Sequence, residues 1–165
     1  MMKISLVIGL TLCGLSSALA EDPVGCDKFK FPIERERAAL TVPNLPNIAS
    51  GTDAKVSAAE TVSLQPLAEA KMPKPPEREQ KPGTFSGFVS VAPVAAETYN
   101  VVISDYAWVD VVQKGSYLKP KDHSGVKGCD TARKAMKFDL SAGPATIQLS
   151  GVTGNSIKLA VFPSR

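Results

Sequence analysis

The stretch HSGVKGCDTARK, residues 123–134, contains the only histidine of the chain, His123, with Cys129 six positions later. A histidine and a cysteine at this spacing could bind a metal ion or form a nucleophile–base pair. A three-ligand zinc site would also need Cys26, and a non-haem iron site needs two histidines and a carboxylate. The sequence therefore predicts no metal site, no cofactor and no assembled set of catalytic residues.

A hydrolase that uses His123 as its base stays open, because the members of a Ser–His–Asp triad need not be close in sequence. The alternative is a solvent-facing loop histidine, since its neighbours Asp122 and Ser124 are polar and a proline, Pro120, lies just upstream. We favour the loop interpretation.

The only tryptophan of the chain lies in DYAWVDVV, residues 105–112. By strand alternation, Tyr106, Trp108 and Asp110 share one face, where an exposed aromatic ring could stack on a sugar. The alternative, and the one we favour, is that Trp108 anchors the core, as a buried aromatic residue usually does. The polar Asp110 on the same face keeps the binding interpretation open.

Residues 1–20 have the three parts of a signal peptide. Lys3 precedes the apolar run ISLVIGLTLCGL, and ALA ending at Ala20 fits the small-residue cleavage rule. We expect cleavage after Ala20 and a mature protein in the periplasm or secreted. Cleavage removes Cys13 and leaves Cys26 and Cys129, which we expect to form a disulfide in an oxidising compartment; two free thiols are the alternative.

Residues 21–60 are predicted to form an N-terminal helix and a linker. The helix is expected within CDKFKFPIERERAALT, where Pro32 suits a first helical turn and Ile33 and Leu40 contribute to a thin apolar stripe. A helix this short is marginal alone and should dock on the rest of the domain. The following VPNLPNIASGTDAKVSAA is rich in Pro, Asn, Ser and Gly, which indicates a loop.

Residues 61–165 are predicted to form a β-sandwich domain. Alternating or β-branched segments recur about every 8 to 12 residues between turn-forming residues, as is typical of antiparallel sandwiches. These segments are ETVSLQPL, TFSGFVSV, TYNVVIS, AWVDVVQKG, KAMKFDL, ATIQLSG and SIKLAVF. They predict a mainly β fold: an antiparallel β-sandwich or jelly roll with a short N-terminal helix.

The segment KMPKPPEREQKPG, residues 71–83, interrupts these strands with several prolines. Proline cannot donate to a β-ladder, so this stretch predicts an extended connector that crosses the surface. A docking motif for a protein partner is the alternative interpretation.

Charge and hydropathy limit the partners of the chain. It has 19 Lys and Arg against 16 Asp and Glu, scattered along its length, and no nucleic-acid-binding motif. Its long apolar run lies within residues 1–20 and is shorter than the roughly 20 residues of a membrane span. We expect no nucleic-acid partner and no membrane span, and we expect a non-catalytic module that binds a saccharide or an envelope protein.

Several stretches carry a family resemblance across almost the whole mature chain. They are GCDKFKFPIERE, PKPPERE, KPGTFSGFVSV, AWVDVV, a GC with a downstream RK, and LSAGPATIQLSG with SIKLAVFP. In these stretches the chain resembles a group of short exported bacterial proteins, which implies an exported β domain. Some members carry the name homogentisate 1,2-dioxygenase, which implies an iron site that one histidine cannot supply. The closing strand pair also resembles the last hairpin of secreted pre-peptidase-like sandwich domains.

Overall fold

A computed structural model describes residues 21–93 and 95–164 of the chain. The predicted signal peptide, residues 1–20, lies outside the described residues. Within them the chain is mainly β, as predicted, with one α-helix, α1 (Glu34–Leu40), and a 3₁₀ turn at Cys26–Lys28. No helix in this part of the chain is long and apolar enough to cross a membrane.

The strands of the described residues form two sheets. They are β1 (Asn47–Ala49), β2 (Ala58–Ser63), β3 (Gln65–Pro66), β4 (Phe85–Val91), β5 (Glu97–Ile103), β6 (Trp108–Gln113), β7 (Ser116–Leu118), β8 (Asp122–Gly125), β9 (Lys134–Leu140), β10 (Ala145–Val152) and β11 (Ser156–Pro163). The six-stranded sheet has the order β1-β2-β11-β5-β9-β8, and the five-stranded sheet has the order β3-β4-β10-β6-β7. Neighbouring strands are antiparallel except for β1 and β2, which are parallel.

The two sheets face each other across one hydrophobic core. Alternate side chains of each strand point to opposite faces, so the apolar half of each strand can enter this core. The six-stranded sheet contributes, among others, Val62, Tyr99, Val101, Met136, Phe138 and Leu159, and the five-stranded sheet contributes Val89, Val111, Ile147 and Leu149. This packing confirms the predicted β-sandwich.

The N-terminal segment covers the outer face of the six-stranded sheet. A second apolar cluster forms there from Phe31, Ile33, Leu40, Val102, Ala135, Ala160 and Phe162. On α1, the buried carboxylate of Glu36 accepts a hydrogen bond of 2.9 Å from Asn100 Nδ2 on β5. A disulfide between Cys26 and Cys129 joins the segment to the loop before β9. The short helix is therefore docked on the sandwich, and the cysteines are paired as the sequence predicts.

The helix is shorter than the sequence predicts, and Pro32 precedes it. The backbone is extended at Phe29, with φ −63° and ψ 137°, and α1 begins only at Glu34. A proline disfavours the helical conformation of the residue before it, so Pro32 restricts the backbone of Phe31. Phe31 and Ile33 instead place their side chains in the cluster on the sheet.

Two stretches expected as loops form strands. Residues 47–49 of the predicted linker form β1 beside β2, and β2 itself begins at Ala58. The stretch at His123 forms β8, at the edge of the six-stranded sheet next to β9. Both β1 and β8 are short and partly exposed, so their residues lack the alternation by which the longer strands are predicted.

Residues 72–82, which we call the strap, cross the outer face of the five-stranded sheet without regular secondary structure. The backbone N–H of Lys74 donates to Gln148 Oε1 (3.0 Å), and Gln148 Nε2 donates to Lys74 O (3.1 Å). Further along, the backbone N–H of Glu77 donates to Asp110 Oδ2 (3.1 Å). Buried polar side chains of the sheet thus hold the proline-rich connector.

Candidate functional site

Strand β6 places Trp108 and Asp110 on the outer face of the five-stranded sheet. Val109 and Val111 occupy the alternate positions and point into the core between the sheets. Trp108 is half-buried and belongs to neither of the two apolar clusters of the described residues. Its indole therefore lies at the surface of the sandwich, beneath the strap, and does not anchor the core.

Asp110 holds the indole and the strap at the same time. Its side chain is 3% exposed, and Oδ1 accepts a hydrogen bond of 2.8 Å from Trp108 Nε1. Its other oxygen accepts the N–H of Glu77 described above. Because both oxygens are engaged inside the protein, Asp110 positions Trp108 and is not itself exposed to a ligand.

A cleft of about 360 Å³ opens between the strap and the end of the five-stranded sheet. It is lined by Arg78, Glu79, Gln80, Lys81, Thr84, Tyr106, Trp108, Gly151 and Thr153. Gly151 has φ 73°, which strains any residue with a Cβ, and a Cβ there would also clash with Gln80 Oε1. The glycine therefore leaves room for the amide group of Gln80 against this end of the sheet.

Tyr106 lies at the mouth of this cleft, in the loop between β5 and β6. Its side chain is 47% exposed, and its backbone N–H donates to Asp105 Oδ1 (2.7 Å). The predicted trio is thus divided: Tyr106 and Trp108 both line the cleft, whereas Asp110 lies behind Trp108. The lining of the cleft therefore contains one half-buried and one exposed aromatic ring, and its other residues are mostly polar.

Cations surround the two rings. The guanidinium of Arg78 lies 5.7 Å from the centroid of Trp108, and Lys134 Nζ lies 5.6 Å from it. Arg133 lies 5.7 Å from the ring of Tyr106 and forms an ion pair of 2.7 Å with Asp22. These distances are within the roughly 6 Å range of cation–π attraction, so the rings lie in a positive environment.

Burial changes the ionisation of two groups beside Trp108. It raises the pKa of the Asp110 carboxyl above the usual 3.8, and the hydrogen bonds from Glu77 and Trp108 offset this only in part. It lowers the pKa of the Lys134 ammonium below the usual 10.5, and repulsion from Arg133 lowers it further. Both shifts mean that the charged forms are held at a cost in folding free energy.

We expect deprotonation of Asp110 to lower the free energy of unfolding as pH rises through the acidic range. Between the usual value of 3.8 and its raised native pKa, the native state holds a proton that the unfolded state has lost. The stability that this bound proton contributes is fully present below pH 3.8 and is lost as pH rises through the native pKa of Asp110. Urea unfolding at a series of acidic pH values should show that Asp110→Asn removes this negative slope.

A matched control is Asp139→Asn on β9. A hydrogen bond from the Thr98 hydroxyl and another from Lys121 lower the pKa of Asp139, so its contribution has the opposite sign and is lost as pH falls. Equal pH slopes for the wild type and Asp110→Asn would contradict the assignment to Asp110.

The histidine and the cysteine that suggested a reactive centre lie elsewhere in the fold, whereas Arg133 and Lys134 at the end of the same stretch lie beside Tyr106 and Trp108. His123 is exposed on β8, and its imidazole forms no hydrogen bond with any described residue. Cys129 is held in the disulfide with Cys26. Within residues 21–93 and 95–164 no three His, Cys, Asp or Glu side chains lie close enough together to hold a metal ion.

The sequence does not predict that residues 78–81 form one wall of the cleft. These residues precede Trp108 by about 30 positions and reach it only because Gln148 and Asp110 hold the strap across the sheet. One feature of the sequence does point to this segment. Its prolines allow the alternative interpretation of a docking motif, which assigns a binding role to the same residues. No family model, curated protein or solved structure matches this chain.

Proposed function

We propose that the mature chain is an exported, non-catalytic binding module of the periplasm or the extracellular space, and that it binds a saccharide in the cleft at Tyr106 and Trp108. The observation that carries this proposal is a half-buried indole, fixed by Asp110, beside an exposed phenol in one cleft that polar residues also line. The alternatives are enzymes: a hydrolase that uses His123, or the dioxygenase of the resemblance. We place the hydrolase second because no hydrogen bond activates His123 among the described residues, and the dioxygenase second because one histidine cannot supply its iron site.

The chemistry of the lining suits a sugar. An aromatic ring offers a flat apolar face to the C–H groups of a pyranose, and polar groups around it can bond to the hydroxyl groups. Tyr106 and Trp108 provide such faces, while Gln80, Thr84 and Thr153 provide neutral donors and acceptors. A single ring of a saccharide fits the volume of the cleft.

The rigidity of Trp108 favours binding. The hydrogen bond of 2.8 Å to Asp110 holds the indole in one orientation before any ligand arrives. A side chain that is already ordered loses little conformational entropy on binding, so more of the contact energy contributes to affinity. Asp110 is therefore a positioning residue for the proposed site.

The test is a titration of the mature protein with a panel of neutral and acidic oligosaccharides. Trp108 is the only tryptophan, so its fluorescence reports the site directly, and calorimetry gives the affinity independently. We expect Tyr106→Ala to weaken binding about tenfold, which corresponds to about 1.4 kcal/mol. Tyr106 is exposed, so this substitution should leave the fold intact.

The matched control is Phe88→Ala. Phe88 is a half-buried aromatic residue on β4 of the same sheet, outside the lining of the cleft. We expect it to leave the affinity unchanged. Absence of any fluorescence change or heat across the panel, or wild-type affinity in Tyr106→Ala, would overturn the proposed function.

A further inference from the structure

The cleft at Tyr106 and Trp108 has more positive than negative charge available to a ligand. Among the described residues, Arg78, Lys81 and Lys134 form no ion pair, whereas Arg133 is paired with Asp22. Arg78 and Lys81 line the cleft, and both are exposed. Two free cations therefore point to an anionic group on whatever binds there.

The acidic groups nearby do not cancel this charge. Both oxygens of Asp110 accept hydrogen bonds inside the protein, and Asp110 is absent from the lining of the cleft. Glu77 pairs with Lys119, at 3.0 Å, and also lies outside the lining. Glu79 is the single carboxylate among the lining residues, against Arg78 and Lys81.

Cation–π contacts account for only part of the positive charge. Arg78 and Lys134 lie 5.7 and 5.6 Å from the centroid of Trp108, near the outer limit of roughly 6 Å for this attraction. Lys134 is half-buried, and its ammonium is held there against the cost of lost hydration and of repulsion from Arg133. A destabilising charge retained beside a cleft is typical of a binding site, since an anionic ligand would offset that cost.

We infer that the cleft takes an acidic saccharide, whose carboxylate or sulfate group is bound by Arg78 and Lys81 while a sugar ring lies against Tyr106 and Trp108. This inference rests on the proposed function and narrows it to one class of ligand. Arg78 is central because it reaches both rings: its guanidinium lies over Trp108, and its Nη1 is 3.5 Å from the hydroxyl oxygen of Tyr106. Lys134 does not line the cleft and acts at longer range, by raising the local positive potential.

The test compares trigalacturonate with its fully methyl-esterified form, which keeps the sugar rings and removes the charge. By calorimetry at low salt, we expect the acid to bind the mature protein at least tenfold more tightly than the ester. The preference should shrink as sodium chloride is added, because exposed charges are screened over roughly 10 Å at 0.1 M salt. Sodium acetate and sodium sulfate alone should not compete, since the sugar ring supplies the aromatic contact.

Arg78→Gln should reduce the ratio of acid affinity to ester affinity towards one, because the lost positive charge weakens binding of the acid much more than binding of the ester. Lys119→Gln is the matched control, because Lys119 is a cation that pairs with Glu77 of the strap outside the cleft. Equal binding of acid and ester, or an unchanged preference in Arg78→Gln, would overturn this inference and leave the proposed function standing. Failure of both probes and of the neutral panel would overturn the two together.

Discussion

Replacement of both Cys26 and Cys129 by alanine should lower the free energy of unfolding by about 4 kcal/mol. The disulfide closes a loop of 103 residues, and it removes conformational entropy from the unfolded chain in proportion to the logarithm of that length. Such a loss is a large part of the roughly 5 to 15 kcal/mol that stabilises a domain of this kind. Urea unfolding under non-reducing conditions, compared at the transition midpoint, measures it.

The N-terminal segment should be most affected. Apart from the disulfide, it is held to the six-stranded sheet by the apolar cluster around Phe31, Ile33 and Leu40 and by the contact of Glu36 with Asn100. Wild-type protein reduced with dithiothreitol is the control, and it should unfold at the same urea concentration as the double variant. An unchanged midpoint in the double variant would contradict the expected role of the disulfide.

The second large effect is expected at Gln148, which is fully buried beneath the strap. Gln148→Leu keeps the size of the side chain and removes both hydrogen bonds with the backbone of Lys74. A buried polar group that loses its partner costs about 1 to 3 kcal/mol, so we expect unfolding to become easier by about 3 kcal/mol. Urea unfolding of the variant gives this value.

The strap should also open locally. Loss of its attachment to β10 should speed tryptic cleavage after Arg78, since proteases act on segments that leave the folded surface. Because residues 78–81 form one wall of the cleft, the variant should also bind saccharide more weakly. Loss of stability without faster cleavage after Arg78 would contradict a specific role in holding the strap.

Gln113→Leu is the matched control. Gln113 is also buried on the five-stranded sheet, but its amide bonds to Ser141, Gly143 and Pro144 in the loop between β9 and β10. We expect a similar loss of stability, with cleavage after Arg78 and saccharide affinity unchanged. The pair of variants therefore separates the effect of a lost buried amide from the effect of a loosened strap.

The longest strands were the most predictable parts of the fold. KAMKFDL alternates apolar and polar residues through Met136, Phe138 and Leu140, and β9 has the bounds of that segment. SIKLAVF forms β11 with one further residue. Apolar and polar residues alternate in these strands because one face of each strand enters the core, so the burial of that face can be predicted from the sequence. The short edge strands β1 and β8 bury few side chains, so their residues show no such alternation.

The candidate site was predictable only in part. Tyr106 and Trp108 stand out because they are aromatic residues two positions apart and are followed by the acidic Asp110, and the structure places both rings in one cleft. The preferred prediction that Trp108 anchors the core is wrong, since the half-buried indole lies on the outer face of its sheet. The face that a strand turns to the core depends on the partner sheet, which alternation within one strand does not specify.

The sequence by itself determined the class of fold and the one disulfide available to the described chain. Local alternation specifies strands, and two cysteines permit one pairing. Only the tertiary structure decided that the strap crosses the five-stranded sheet and brings Arg78 to Trp108. That contact depends on buried hydrogen bonds in which the side-chain oxygens of Gln148 and Asp110 accept from backbone N–H groups of a distant segment. Such bonds join residues 33 to 74 positions apart, and no local pattern in the sequence encodes a pairing at that distance.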